Sequence, residues 1–138
     1  MGLIGLMNTL CIEGKKYGIQ VNALSPCAAT RMLEGLSLPE DALALLKTKA
    51  VTAGLLTLCD KDAPNRTILT AGGGGFAKAI LYETDGVYIP EENWSPEAVR
   101  AAMENISDAQ IREEYTDGGQ QTMKFLTKAA KHLGLDLK

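Results

Sequence analysis

Apolar side chains recur at helical spacing from the first residues: Leu3, Leu6, Met7, Leu10 and Cys11, with Ile4 and Ile12 widening the stripe. This period predicts a helix over 2–17. A stripe that wide implies burial on more than one side. Lys15 and Lys16 sit in its last turn, where cations suit the helix dipole, and Gly18 is a natural stop. Residues 19–25 then read as a strand, ending where Ser25 is biased to the extended region by Pro26. A short helix is expected over 38–49, with Pro39 at its first position and Glu40 and Asp41 in its first turn. A second follows over 52–59. Asn65 to Thr70 reads as a strand, broken by the run Gly72-Gly73-Gly74-Gly75. Residues 76–83 and 87–89 look extended, with Asp85-Gly86 between them as a hairpin signal. Ser95 is placed to cap a helix from Pro96 to about Asn105, and 106–119 is polar and irregular. A last amphipathic helix is expected over 120–133, with Phe125, Leu126, Ala129, Ala130 and Leu133 on one face and Gly134 as its stop.

Helix, strand, helix, strand points to an α/β fold with a parallel sheet. Two strands are too few, because parallel sheets have both faces covered and several strands. The first helix also has no Ser, Thr, Asp or Asn cap. We therefore expect the chain to be the back portion of a larger enzyme: residues 1–75 as the C-terminal part of a Rossmann-type doubly wound sheet, and 76–138 as a hairpin-and-helix extension packing on it.

Composition narrows the function classes. Among 138 residues, 46% are hydrophobic and 22% charged, with net charge −3, the profile of a globular protein. No basic cluster argues for nucleic acid, and no apolar run approaches the roughly 18 residues of a membrane span. Cys11, Cys27 and Cys59 form no CxxC pair and no metal spacing with His132. They read as reduced, mostly buried thiols of a cytoplasmic protein.

The glycine run matches G-x-G-x-x-A at Gly72, Gly74 and Ala77. A dinucleotide fingerprint must open a helix, whereas the residues after it read as strand, so a tight crossing that redirects the chain is the better reading. Cys27 has no His or acidic partner in sequence to make it a nucleophile. Pro26, Cys27, Ala28 and Thr30 are different. Ligands of open α/β sheets bind beyond the carboxyl ends of the strands. A turn shaped by Pro26 exposes backbone groups there, Ala28 and Ala29 allow close approach, and the Thr30 hydroxyl can hydrogen-bond a polar ligand group. An ordinary strand-to-loop turn is an equal reading of these residues.

Gly2-Leu3-Ile4-Gly5-Leu6-Met7-Asn8-Thr9-Leu10, then Val21-Asn22-Ala23-Leu24-Ser25-Pro26, then Thr30-Arg31-Met32, resembles the C-terminal half of a short-chain dehydrogenase/reductase. Leu38-Pro39-Glu40-Asp41, Leu55-Leu56-Thr57-Leu58-Cys59, the glycine run into Phe76-Ala77-Lys78, and Ser95-Pro96-Glu97-Ala98-Val99 narrow the resemblance. They are similar to the (3R)-hydroxyacyl-CoA dehydrogenase unit of peroxisomal multifunctional enzyme type 2 and its bacterial relatives. The resemblance covers nearly the whole chain. It implies that Pro26, Cys27, Ala28 and Thr30 lie against the nicotinamide half of NAD or NADP. Cys27 departs from the glycine usual there. It implies that the segment from Arg31 to Leu46 covers an acyl thioester substrate, with Met32, Leu33 and Leu36 among the shielding residues, although plain packing explains them equally. It also implies a homodimer or homotetramer formed through the helix over 2–17.

The family's tyrosine, lysine and serine chemistry does not carry over. The residues four places after Tyr17, Tyr82, Tyr88 and Tyr115 are Val21, Gly86, Glu92 and Gly119, so no Tyr-x-x-x-Lys is formed. The reading is a portion of an NAD(P)-dependent oxidoreductase, inactive by itself, whose parent interconverts 3-hydroxyacyl-CoA and 3-oxoacyl-CoA. The alternative is a non-catalytic remnant acting as a partner-binding or dimerisation module.

Overall fold

The computed structural model describes residues 1–33 and 39–137. It divides into two compact units, Met1–Ile80 and Leu81–Lys138. In the first, helix α1 (Gly2–Gly14) runs on through a short 3-10 turn (Lys15–Tyr17) to Gly18, whose φ of 67° ends it in the left-handed region. Three strands follow, β1 (Ala23–Cys27), β2 (Ile68–Gly72) and β3 (Gly75–Ala79), in the spatial order β1-β2-β3. β1 pairs parallel to β2 with Ala23 opposite Ile68 and Cys27 opposite Gly72, while β2 pairs antiparallel to β3. Helices α2 (Glu40–Leu45) and α3 (Thr48–Leu58) lie between β1 and β2 in the chain. The α/β class read from the sequence is the one observed.

β1 and β2 are shifted from their expected places by two to four residues, and side chains explain why. Gln20 Nε2 donates to Ala63 O (2.7 Å), Asn22 Nδ2 to Pro64 O (2.6 Å), and Thr67 N to Asn22 Oδ1 (3.0 Å). Asn65 Oδ1 accepts from both Val21 N (2.8 Å) and Cys11 Sγ (3.3 Å). Arg66 takes a left-handed φ of 58°. Residues 19–22 and 63–67 are thus engaged in a side-chain lattice, and the ladder begins only after it. At the other end β1 runs two residues further than expected. Pro26, expected in a turn, is inside the strand opposite Ala71. The Ala23 N–H donates to Thr67 O (2.9 Å), so by strand alternation Pro26 turns its missing N–H away from β2, which a sheet tolerates.

Gly73 and Gly74, with φ of 57° and 84°, form a two-residue turn between β2 and β3. A strand, not a helix, follows the glycines, as their pattern indicated. Gly54 of α3 sits against the sheet, where a Cβ would lie 3.2 Å from Ala71 Cβ. The expected helix over 38–49 is shorter and breaks at Lys47, whose backbone is extended, before α3 restarts at Thr48. The Leu46 carbonyl there accepts from Ala29 N (2.8 Å) rather than from a helical neighbour. Pro39 precedes α2 as its cap residue, and Leu38 lies outside the described residues.

α1 buries Met7, Cys11 and Gly14 and half-buries Ile4, while Leu3, Leu6, Leu10 and Ile12 face outward: Leu3 is 78% exposed and Ile12 60%. Cys27 and Cys59 are exposed as well, so of the three thiols expected mostly inside, only Cys11 is buried. Each of the other two stands where an element ends. The accessible surface of the chain is 10510 Å². Two compact domains of 80 and 58 residues would together expose about 8,400 Å².

In the second unit, β4 (Glu83–Thr84) pairs antiparallel with β5 (Arg112–Glu113). The hairpin expected at Asp85-Gly86 does not form, and 87–90 carry no strand. Asp85 N donates to Ile111 O (2.9 Å), Thr84 Oγ1 to Ile106 O (2.6 Å), and Lys128 Nζ to Asp85 Oδ2 (2.6 Å). These partners claim the segment that the turn signal alone assigned to a local hairpin. Ser95 caps α4 (Pro96–Ala101) as expected, accepting from Ala98 N (3.1 Å), and the helix steps at Ala102 into α5 (Met103–Ile106). The last helix, α6 (Gly118–Leu133), starts two residues early because Asp117 and Gln120 form a capping box, and Gly134 ends it at φ 67°.

Candidate functional site at the carboxyl end of the first strand

β1 delivers its end to an open site for a definite steric reason. A Cβ on Gly72 would lie 2.5 Å from Cys27 O and 2.7 Å from Cys27 Cβ. Only glycine allows the two parallel strands to close there, so the backbone after Cys27 is held in place. Ala28 is half-buried, and Ala29 and Thr30 are exposed. The Ala29 N–H to Leu46 O bond ties the turn to the end of α2, and Leu33 N donates to Thr30 O (2.8 Å) across a 3-10 turn, Arg31–Leu33. Between these anchors lies a cavity of about 350 Å³ lined by Ala29, Thr30, Arg31, Leu33 and Leu43.

Of the residues singled out from the sequence, Thr30 and Leu33 meet in this cavity. Pro26 and Cys27 lie behind it in the strand, exposed, and Ala28 leads into the turn. Met32 points away, 92% exposed. Leu36 lies outside the described residues. Arg31 lines the cavity and was not singled out, because a lone arginine between a threonine and a methionine carries no motif.

The second unit concentrates its charges elsewhere. Glu83 is bound by both Lys124 and Gln121, and a small cavity of about 120 Å³ beside them is lined by Asp85, Arg112, Glu113 and Tyr115 among others. The Lys124 hydrogen bond holds the Glu83 carboxyl below its ordinary range, against a smaller opposing effect of burial. Burial pulls Lys124 down, but the hydrogen bond and charge of Glu83 outweigh it and raise the ammonium. This is a cross-tie of α6 to β4. His132 is exposed and stacks on Tyr88, ring centroids 4.4 Å apart. Among the described residues no group of three or more His, Cys, Asp or Glu could hold a metal ion, and no helix is long and apolar enough to cross a membrane.

No protein-family model matches the chain. Individual relatives do. Over 87 residues it is 41% identical to a short-chain type dehydrogenase/reductase of Mycobacterium tuberculosis, which covers 62% of this chain and 30% of the relative. Its homologues are short-chain dehydrogenases/reductases. Peroxisomal multifunctional enzyme type 2 of Mus musculus is 38% identical over 111 residues, 78% of this chain and 15% of that protein. Among solved structures, full-length peroxisomal multifunctional enzyme type 2 from Drosophila melanogaster superposes with a TM-score of 0.78 at 23% identity, over 96% of this chain and 24% of the other. A short-chain dehydrogenase from Mycobacterium avium gives 0.57 at 23% identity, over 80% and 39%. The fold is therefore that of the Rossmann-type short-chain dehydrogenases, and the chain spans less than a third of the curated relatives it matches here.

Proposed function

We propose that this chain forms the wall of the cofactor site and the cover of the substrate site in an NAD(P)-dependent short-chain oxidoreductase acting on 3-hydroxyacyl and 3-oxoacyl thioesters. The observation that carries the reading is the cavity opened by Thr30 at the carboxyl end of a parallel strand, in a chain whose homologues are short-chain dehydrogenases. The residues present suit the group. A cavity of about 350 Å³ takes a flat ring with its amide. The Thr30 hydroxyl supplies a hydrogen bond, and Ala28 and Ala29 leave room for close approach. NAD(P), when bound, supplies the hydride acceptor. The role of this chain is to orient that ring and, through Leu33 and Leu43, to keep water from it.

With no Tyr-x-x-x-Lys in its 138 residues, this chain has no proton-transfer pair of the family's kind. The purified 138-residue chain is expected to show no cofactor-dependent turnover of 3-hydroxybutyryl-CoA. The protein as its source gene encodes it is expected to reduce NAD or NADP with that substrate. Turnover by the 138 residues alone would overturn the first expectation, and a source gene encoding no catalytic pair would overturn the second.

A specific observation supports the second reading, a dimerisation module. Leu3, Leu6, Leu10 and Tyr17 all stand exposed along α1 and its 3-10 extension, at intervals of three, four and seven residues, with the acidic Glu13 between the last two. That is the seam spacing with which one helix packs on another. We infer that a second copy of the chain covers it. The two readings are compatible, since the seam and the Thr30 cavity use different residues.

A further inference from the structure

We propose that Arg31 is the anion-recognising residue of the Thr30 cavity and holds a phosphate of the bound ligand. The inference rests on the oxidoreductase reading and adds to it the group that the site recognises by charge. Among the described residues lining the cavity, Arg31 is the one charged side chain, beside the aliphatic Leu33 and Leu43. It makes no hydrogen bond or ion pair with another described residue. Leu43 of α2 closes the cavity on its other side, and no carboxylate is among the described residues that line it. The 3-10 turn that begins at Arg31 is fixed by the Leu33 N to Thr30 O bond, so the backbone carrying the guanidinium is held beside the Thr30 hydroxyl.

A hydroxyl and a guanidinium opening on one aliphatic cavity fit a ligand that is flat or apolar in one part and anionic in another. Arginine suits phosphate by its planar fork of donors, which a carbonyl-only ligand would leave unused. Both ligands of the proposed reaction carry phosphates, the dinucleotide in its pyrophosphate and the thioester in its coenzyme A moiety. The shared chemistry is a phosphate oxygen on the Arg31 guanidinium.

The test uses the protein as its source gene encodes it, wild type against Arg31→Gln and Arg31→Lys. The measurements are the Kd of NAD and NADP by calorimetry, and kcat/KM for 3-hydroxybutyryl-CoA and for its N-acetylcysteamine thioester, which lacks every phosphate. Arg31→Gln is expected to weaken one phosphate ligand about tenfold, the loss of one charge-assisted contact, with Arg31→Lys recovering part of it. A raised dinucleotide Kd assigns the phosphate to the cofactor. A loss confined to the coenzyme A thioester, with the truncated thioester spared, assigns it to the substrate. Equal loss on both thioesters with an unchanged dinucleotide Kd makes Arg31 structural and overturns the proposal, as does no loss on any ligand. A wild-type protein that binds neither dinucleotide and turns over neither thioester overturns the oxidoreductase reading itself, an outcome distinct from a working enzyme indifferent to Arg31.

Discussion

Replacing Gly72 by alanine probes the joint on which the site depends. The new Cβ would lie 2.5 Å from the Cys27 carbonyl oxygen and 2.7 Å from Cys27 Cβ. Ordinary carbon contacts begin near 3.5 Å, so β1 and β2 must part by roughly 1 Å at their carboxyl ends. The obstructing atoms are backbone and Cβ and cannot rotate aside. Overpacking of this kind costs about 1–3 kcal/mol. At roughly 4 °C per kcal/mol for a chain of this size, Tm should fall by about 4–12 °C. Two other glycines supply the scale. Gly5 of α1 faces open space, with nothing within 4 Å of an added Cβ, so Gly5→Ala should gain up to about 1 kcal/mol and raise Tm by about 4 °C. Gly54→Ala meets Ala71 Cβ and Leu69 Cδ2 at 3.2 Å and should fall between the two, since the leucine end can shift. Far-UV circular dichroism melts of the three variants give the order, and amide exchange at Cys27 locates the damage. A Gly72→Ala variant as stable as Gly5→Ala would refute the strand contact and the rigid turn argued from it.

Two further outcomes follow from the helices. Glu83 is held below its ordinary range, so its tie to Lys124 stabilises the fold above the ordinary carboxylate range and the gain is lost as pH falls through the lowered value. Lys124, raised, contributes below the ordinary lysine range and loses that contribution as pH rises through the raised value. Glu83→Gln should therefore melt lower than wild type at neutral pH, with the difference vanishing in acid; an unchanged difference at low pH would remove Glu83 from the account. Leu6→Glu, at an exposed position on α1, should convert a dimer to monomer in sedimentation velocity while changing monomer stability by no more than about 0.5 kcal/mol; a dimer that survives would place the interface elsewhere.

The periodic elements were legible because their signals are local. The α1 stripe, the Ser95 cap and the Gly134 stop each depend on residues within a turn or two. The turn at Gly73-Gly74 was announced by glycines whose positive φ no other residue adopts as readily. What failed was competition over long sequence distances. Asp85-Gly86 reads as a hairpin until Ile111 and Lys128 take its donors and acceptors, and nothing in 83–90 reveals partners that far along the chain. The strand ends moved because Asn22 bonds the backbone of Pro64 and Thr67, and Asn65 that of Val21, side chains common in loops reaching across more than forty residues. For the site, Thr30 could be placed from the strand that precedes it. Arg31 could not, because the cavity it lines is closed by Leu43 from another element.

The outward apolar face of α1 also has a calorimetric consequence. A well-packed chain of 138 residues unfolds with a heat-capacity increment of about 1.7–2.1 kcal/mol/K, most of it from apolar surface newly wetted. Leu3, Leu6 and Ile12 are already wet in the folded chain and add little to that increment. The isolated chain should accordingly have a flatter stability curve than its length suggests, with less to lose on cooling. Covering the face with a second protein surface returns those side chains to the increment, so pairing should change the curvature of the stability profile as well as raise its midpoint.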